Sequence, residues 1–269
     1  MGDDRPLGVF DSGIGGVTVL REIRAQAPGE RCIYFADSQQ APYGTKTPDE
    51  IRRRSDAIVG FLLDHDAKAI VVACNAASVT ALPYLRERYA IPFIGLDPGV
   101  KPAAEITQVG KIGVITTPAT ASSERLAHLI EEFAYGATVM TQVCPGLVPL
   151  IERGIVDGPE MDELLNLYLT PILEAGVDVV VLGCTHYPFV RSSIARICGA
   201  RVVLVDPSAA VARQVCRVLS SRGLVADQKV GGASYYTTAD VDGFTRVLAT
   251  LTGQATEAVL HADISAPVA

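Results

Sequence analysis

The chain contains no tryptophan, which removes one common base-stacking residue, and no clustered basic face that could track a phosphate backbone. Acidic residues outnumber basic ones, 30 to 23, for a formal charge of −7, so no nucleic-acid partner is expected. The basic run Arg52-Arg53-Arg54 lies beside Glu50 and Asp56 and reads as a solvated helix face. No stretch approaches the roughly 18 apolar residues of a membrane span. Met1 to Pro6 hold no apolar secretion core, so the expectation is a cytoplasmic protein with no membrane partner. The six cysteines then read as thiols rather than a disulfide framework. There is no C-x-x-C pair, and Cys184-Thr185-His186 is too short for the usual zinc spacing, so no metal is expected.

What is present is a set of apolar runs that end in reactive side chains. Val179 to Leu182 reads as a strand buried on both faces, since such a strand has no solvent side to make it alternate. Gly183 closes it, and Cys184, Thr185 and His186 follow, with Pro188 limiting how soon a helix begins. Ala69 to Ala73 runs in the same way into Cys74, Asn75 and Ala76, with a helix expected from about Ser78. Ligands bind at the carboxyl edge of open parallel sheets, so the two runs point to a site between two strand ends, with one thiol from each.

The 269 residues, 49% hydrophobic, have room for two domains. Leu7 to Phe10 reads as a first strand, followed by the Gly-rich turn Asp11 to Gly16, which is not a G-x-G-x-x-G dinucleotide motif. A second strand ends at Asp37. The turn-rich segment Gln39 to Thr47, centred on Pro42-Tyr43-Gly44, reads as a loop over the strand edge, and Thr47 caps the helix opening at Pro48. The pattern restarts at Lys111 to Thr117 and reaches Cys184 as the first half reached Cys74, a spacing of about 105 to 110 residues. This predicts an α/β fold of two related, pseudo-symmetric halves facing each other, with largely parallel sheets. The expected domains are residues 1–98 with 208–269, and 99–207; the tail from Gly253 reads as loose.

Two opposed thiols suit removal of a proton from one face of a carbon and delivery of another to the opposite face. A thiol with a pKa near 8.5 can reach both forms. One sulfur must be held as thiolate and the other as thiol, and Asp11 and His186 are the neighbours placed to manage this. Cys32, Cys144, Cys198 and Cys216 read as packing residues.

Phe10 to Gly16, Pro42 to Lys46, Ala73-Cys74-Asn75 and Leu182 to Pro188, in that order, resemble the glutamate racemases of the aspartate/glutamate racemase superfamily. The resemblance implies interconversion of L- and D-glutamate without a cofactor, supply of D-glutamate for peptidoglycan, a homodimer, and two three-layer α/β domains with the active site in the cleft between them. It implies that Cys74 takes the α-proton of D-glutamate and Cys184 that of L-glutamate. Asp11 would assist Cys74, and His186 with Glu152 would assist Cys184. Ser12, Pro42, Tyr43, Gly44, Asn75, Ala76, Thr117, Thr120 and Thr185 match substrate-binding positions, while Asp37 carries no assigned role. Ala76 stands where the family usually has Thr or Ser, so one hydroxyl donor to substrate is absent, and Thr116 stands where the family commonly has Gly. Aspartate or another acidic amino acid as substrate, a cysteine-nucleophile or thiol redox enzyme, and a binding protein that lost activity stay open.

Overall fold

The uninterrupted apolar runs fold as strands because helices cover both of their faces. The computed structural model describes residues 2–228, 231–253 and 258–264. Its first sheet opens with β1 (Leu7–Asp11), α1 (Val17–Gln26) and β2 (Arg31–Ala36). Short 3-10 turns at Ser38–Gln40 and Tyr43–Thr45 lead to α2 (Pro48–Asp64), β3 (Ala69–Val72), α3 (Asn75–Arg88) and β4 (Phe93–Gly95). After α4 (Val100–Ile106) the second sheet begins with β5 (Lys111–Thr116), α5 (Pro118–Ala121), α6 (Glu124–Phe133) and β6 (Thr138–Val143). It continues through α7 (Leu147–Glu152), α8 (Pro159–Glu174), β7 (Val179–Gly183), α9 (Arg191–Cys198) and β8 (Val203–Val205). The chain then returns to the first sheet with α10 (Ser208–Ser221), β9 (Gly232–Thr237), α11 (Val241–Thr252) and β10 (Val259–His261).

Strand order shows the internal repeat directly. The first sheet runs β10-β9-β2-β1-β3-β4 and the second β6-β5-β7-β8, so β2-β1-β3-β4 and β6-β5-β7-β8 are the same arrangement. Every strand pair among the described residues is parallel. Alternate residues of each sheet feed different cores. Leu7 and Val9 pack under α1, α10 and α11, whereas Phe10, Ile70 and Val72 pack under α2 and α3. In the second sheet Val180 and Leu182 face α7, α8 and α9, while Val179 and Val181 face α4 and α6. Both halves are therefore three-layered. No helix among the described residues is long and apolar enough to cross a membrane.

Four local expectations change. The helix expected from about Ser78 begins at Asn75, with Cys74 as its N-cap residue. Ser78 is unavailable as a cap because its hydroxyl donates to the Val72 carbonyl and accepts from the Leu96 N–H, both at 2.9 Å. Arg54 is not part of a solvated face: it turns inward to Asp37 while Arg52 and Arg53 stay exposed. The loop from Gln39 to Thr47 contains two 3-10 turns. The tail is not loose throughout, since Val259–His261 pairs with Tyr235–Thr237; residues 254–257 and 265–269 lie outside the described residues.

At the amino ends of the strands, Lys68 and Glu30 form a buried ion pair of 2.5 Å, with side chains 0% and 4% exposed. Lys68 Nζ also donates to the Asp3 carbonyl at 2.6 Å, and the Ala226 N–H donates to Glu30 Oε1 at 2.9 Å. Removing one partner strands a buried charge. Lys68→Met is expected to cost about 3 to 5 kcal/mol in urea unfolding, and adding Glu30→Leu to recover most of it. A double variant as unstable as the single one would contradict this account.

Candidate active site

The carboxyl ends of β1, β3, β5 and β7 meet across one narrow cavity. Its lining brings together Ser12, Pro42, Tyr43, Gly44, Cys74, Asn75 and Ala76 from the first sheet's side with Thr117, Val148, Cys184, Thr185 and His186 from the second. The space between them is about 260 Å³ when the part open to solvent is included, and it is so narrow that it has room for about one water molecule. Eleven expected positions thus share one wall. Asp11, Glu152 and Thr120 stand behind it: Thr120 is fully buried and accepts from Thr117 at 3.4 Å. Val148 was missed from the sequence, although it lies one helical turn before Glu152 on α7 and so shares its face.

The two thiols have unequal surroundings. Cys74 is buried, and its S–H points to Ser12 Oγ at 3.8 Å. Burial pushes this thiol well above its ordinary pKa, and the nearby Asp11 carboxylate pushes in the same direction. Cys74 is therefore held as a thiol. Cys184 lies 3.7 Å from His186 Nδ1, and His186 Nε2 lies 2.6 Å from Glu152 Oε1. Burial opposes a charge on His186, but its contacts with Cys184 and Glu152 outweigh that and raise its pKa well above the ordinary value. The His186 ring thus stands between the Glu152 carboxylate and the Cys184 sulfur.

Several hydrogen bonds cross between the sheets. Thr185 Oγ1 donates to Asp11 Oδ2 at 2.8 Å, and Thr18 Oγ1 reaches the Thr185 carbonyl at 3.2 Å. The Ile14 N–H donates to Glu152 Oε1 at 2.8 Å. Gly13 permits that approach, since a Cβ there would overlap the Glu152 carboxylate. Asp11 also accepts from the Gly13 N–H at 2.9 Å and Ser12 Oγ at 3.1 Å, so it reaches Cys74 through Ser12. Thr116, at the end of β5, donates to the Gly183 carbonyl at 2.9 Å and fixes the peptide before Cys184.

Two polar side chains of the wall differ in what they offer the cavity. Asn75 is buried on the cavity wall, yet neither its amide nitrogen nor its oxygen has a protein partner. Such a group at the start of a helix is set to bind something polar in the cavity. The Tyr43 hydroxyl, by contrast, donates to Asp37 Oδ2 at 2.6 Å, so Tyr43 offers the cavity its ring and backbone. Among the described residues no group of three or more His, Cys, Asp or Glu side chains could hold a metal ion.

Residues 7–215 match the family model described as Asp/Glu/Hydantoin racemase. A glutamate racemase of Pseudomonas paraeruginosa is 46% identical over 252 residues, covering 93% of this chain and 95% of that protein. Among solved structures, glutamate racemase isoform RacE1 from Bacillus anthracis superposes with a TM-score of 0.89 at 32% identity, covering 96% of this chain and 97% of that one. A glutamate racemase from Francisella tularensis, in complex with D-glutamate, gives 0.85 at 32% identity, covering 97% and 98%.

Asp11 generates a testable pH dependence. Burial raises its pKa from 3.8 to about 6 in the folded protein, so the stability it contributes is full below pH 3.8 and is lost as pH rises through 6. The loss amounts to about 3 kcal/mol by pH 8. Asp11→Asn removes this titration, so urea unfolding of variant and wild type at pH 4 and pH 8 should show a gap that shifts by that order in the variant's favour. A gap independent of pH would refute the assignment.

Proposed function

The chain belongs to the Asp/Glu/hydantoin racemase family, and from that premise we propose that it interconverts L- and D-glutamate by a two-thiol mechanism that uses no cofactor. It is an isomerase. The observation that carries the mechanism is the pair of buried thiols, Cys74 and Cys184, at matching strand ends of two like sheets and on one cavity with different protonation environments.

With L-glutamate bound, the Cys184 thiolate takes the α-proton and the C–H electron pair passes into the substrate carboxylate as an enediolate. The Cys74 S–H delivers its proton to the opposite face of the α-carbon, leaving Cys74 as thiolate and Cys184 as thiol. D-glutamate runs the same steps in reverse. Asp11 acts on Cys74 through Ser12, and Glu152 holds His186 against Cys184. Asn75, Thr117, Thr185 and the backbone around Gly44 receive the substrate's charged groups, and exclusion of water strengthens each contact.

The space present is too tight for glutamate to enter unaided, which supports separation of two domains, 1–98 with 208–269 and 99–207, on binding and release. The division is supported by where the sheets change, after β4 and again between β8 and α10. By family resemblance the enzyme works in the cytoplasm as a homodimer and supplies D-glutamate for peptidoglycan.

Proton exchange in deuterated water tests the reading. L- or D-glutamate should yield the opposite enantiomer carrying deuterium at the α-carbon, and Cys74→Ser or Cys184→Ser should slow this by about 10² to 10⁴. Racemisation surviving loss of one thiol would remove its role. Exchange with aspartate in place of glutamate would reassign the substrate, and exchange with neither would sink the proposal.

A further inference from the structure

Tyr43 forms part of the cavity wall, but what fixes it lies outside the cavity. Its hydroxyl is bonded to Asp37, a fully buried carboxylate just past the end of β2. The Asp37 N–H donates to the Asp11 carbonyl at 3.0 Å, which places it one strand over from the reactive loop. Arg54 reaches down from α2 and holds both carboxylate oxygens, Nη2 to Oδ1 at 2.7 Å and Nε to Oδ2 at 2.8 Å. Thr238, following β9, donates to Oδ1 at 2.9 Å. Four donors therefore saturate Asp37, and none of them belongs to a substrate.

A buried ion pair is a poor source of net stability, because desolvation cancels much of its attraction; what it does supply is fixed geometry. That geometry is passed on along the chain. Gly44 follows Tyr43 and packs against Thr117 on the second sheet's side, so closely that a Cβ on Gly44 would lie 2.5 Å from the Thr117 Cβ. The turn Tyr43–Thr45 is thus a point where the two sides of the cavity meet. Its position depends on the hydroxyl held by Asp37.

We propose that the Asp37–Arg54 pair is the positioning device for this wall, setting Tyr43 and Gly44 at the distance from Thr117 that substrate binding requires, with no contact of its own to substrate. The inference rests on the racemase reading of the same cavity. It separates Arg54 from Arg52 and Arg53 in role as well as in exposure, and it gives Asp37 a purpose distinct from proton transfer.

The test is steady-state racemisation of L- and D-glutamate by wild type, Arg54→Ala and Tyr43→Phe. Loss of a hydrogen bond to a charged group predicts a KM raised about 10- to 100-fold in Arg54→Ala, with kcat changed far less. Because Arg54 is partly accessible, with 18% of its side chain exposed, added methylguanidinium should restore KM where methylamine does not. Tyr43→Phe should raise KM in the same way, and combining it with Arg54→Ala should add little, since Arg54 acts on this wall through the carboxylate that holds the Tyr43 hydroxyl. An unchanged KM in Arg54→Ala or in Tyr43→Phe, or an equal fall in kcat with no rescue, would overturn the proposal. If Arg54→Ala does not fold, Tyr43→Phe alone decides it by the same KM criterion. A wild type that does not racemise glutamate would instead defeat the underlying reading, so the two failures are distinct.

Discussion

The hydrogen bond from Thr185 to Asp11 joins the two sheets at the place where the chemistry is set. Its neighbours cross the same gap in the opposite direction, from the Ile14 N–H to Glu152 and from Thr18 to the Thr185 carbonyl. The carboxylate linked to Cys74 through Ser12 is thus held by the residue after Cys184. The carboxylate that orients His186 beside Cys184 is in turn held by the loop that carries Asp11. Neither thiol's environment is complete within its own half. Separating the sheets dismantles both environments together, and bringing them together rebuilds both.

The cavity is built from groups that are costly to bury and are mostly satisfied before any ligand arrives. Asp11, Thr185, His186 and Glu152 have protein partners; burial raises the titration of Asp11 and Cys74, while contacts with Cys184 and Glu152 raise that of His186 against its burial. Asn75 is the exception, with both polar ends of its amide unmet on the wall. Donors fixed in advance need no reorganisation when charge develops on a substrate, which is what a carbanion without an electron sink requires. Ala76 leaves one usual hydroxyl out of this set, and the backbone N–H groups at the start of α3 lie beside it.

The repeated strand order and the positions of both thiols were legible in the sequence, because strands buried on both faces write themselves as unbroken apolar runs and the reactive residues sit where those runs stop. The motifs around Asp11, Tyr43, Cys74 and Cys184 also reported their places along the chain. Long-range polar pairing was not legible. Arg54 reads as one of three adjacent arginines until α2 is packed and one helix direction points at Asp37. Lys68 and Glu30 are separated by a whole strand and helix, and nothing local marks them as partners. The helix expected from about Ser78 starts three residues earlier, at Asn75, and the Ser78 hydroxyl is bonded to Val72 and Leu96. The short β10 strand lacks the apolar length that identifies the others, and its pairing with β9 decides it.

The unequal surroundings of Cys74 and Cys184 have a thermodynamic limit. Enantiomers in water have equal free energies, so the ratio of forward to reverse kcat/KM is one whatever the protein does. A histidine beside one sulfur and a carboxylate near the other therefore cannot favour either product. They decide instead which protonic isomer of the empty enzyme waits in solution, and so which hand of substrate it accepts at first encounter. Each turnover leaves the opposite isomer behind. In the proposed two-thiol mechanism the same hand can be taken again only after a proton has travelled from one sulfur to the other through a site that admits almost no water, a step separate from the carbon chemistry.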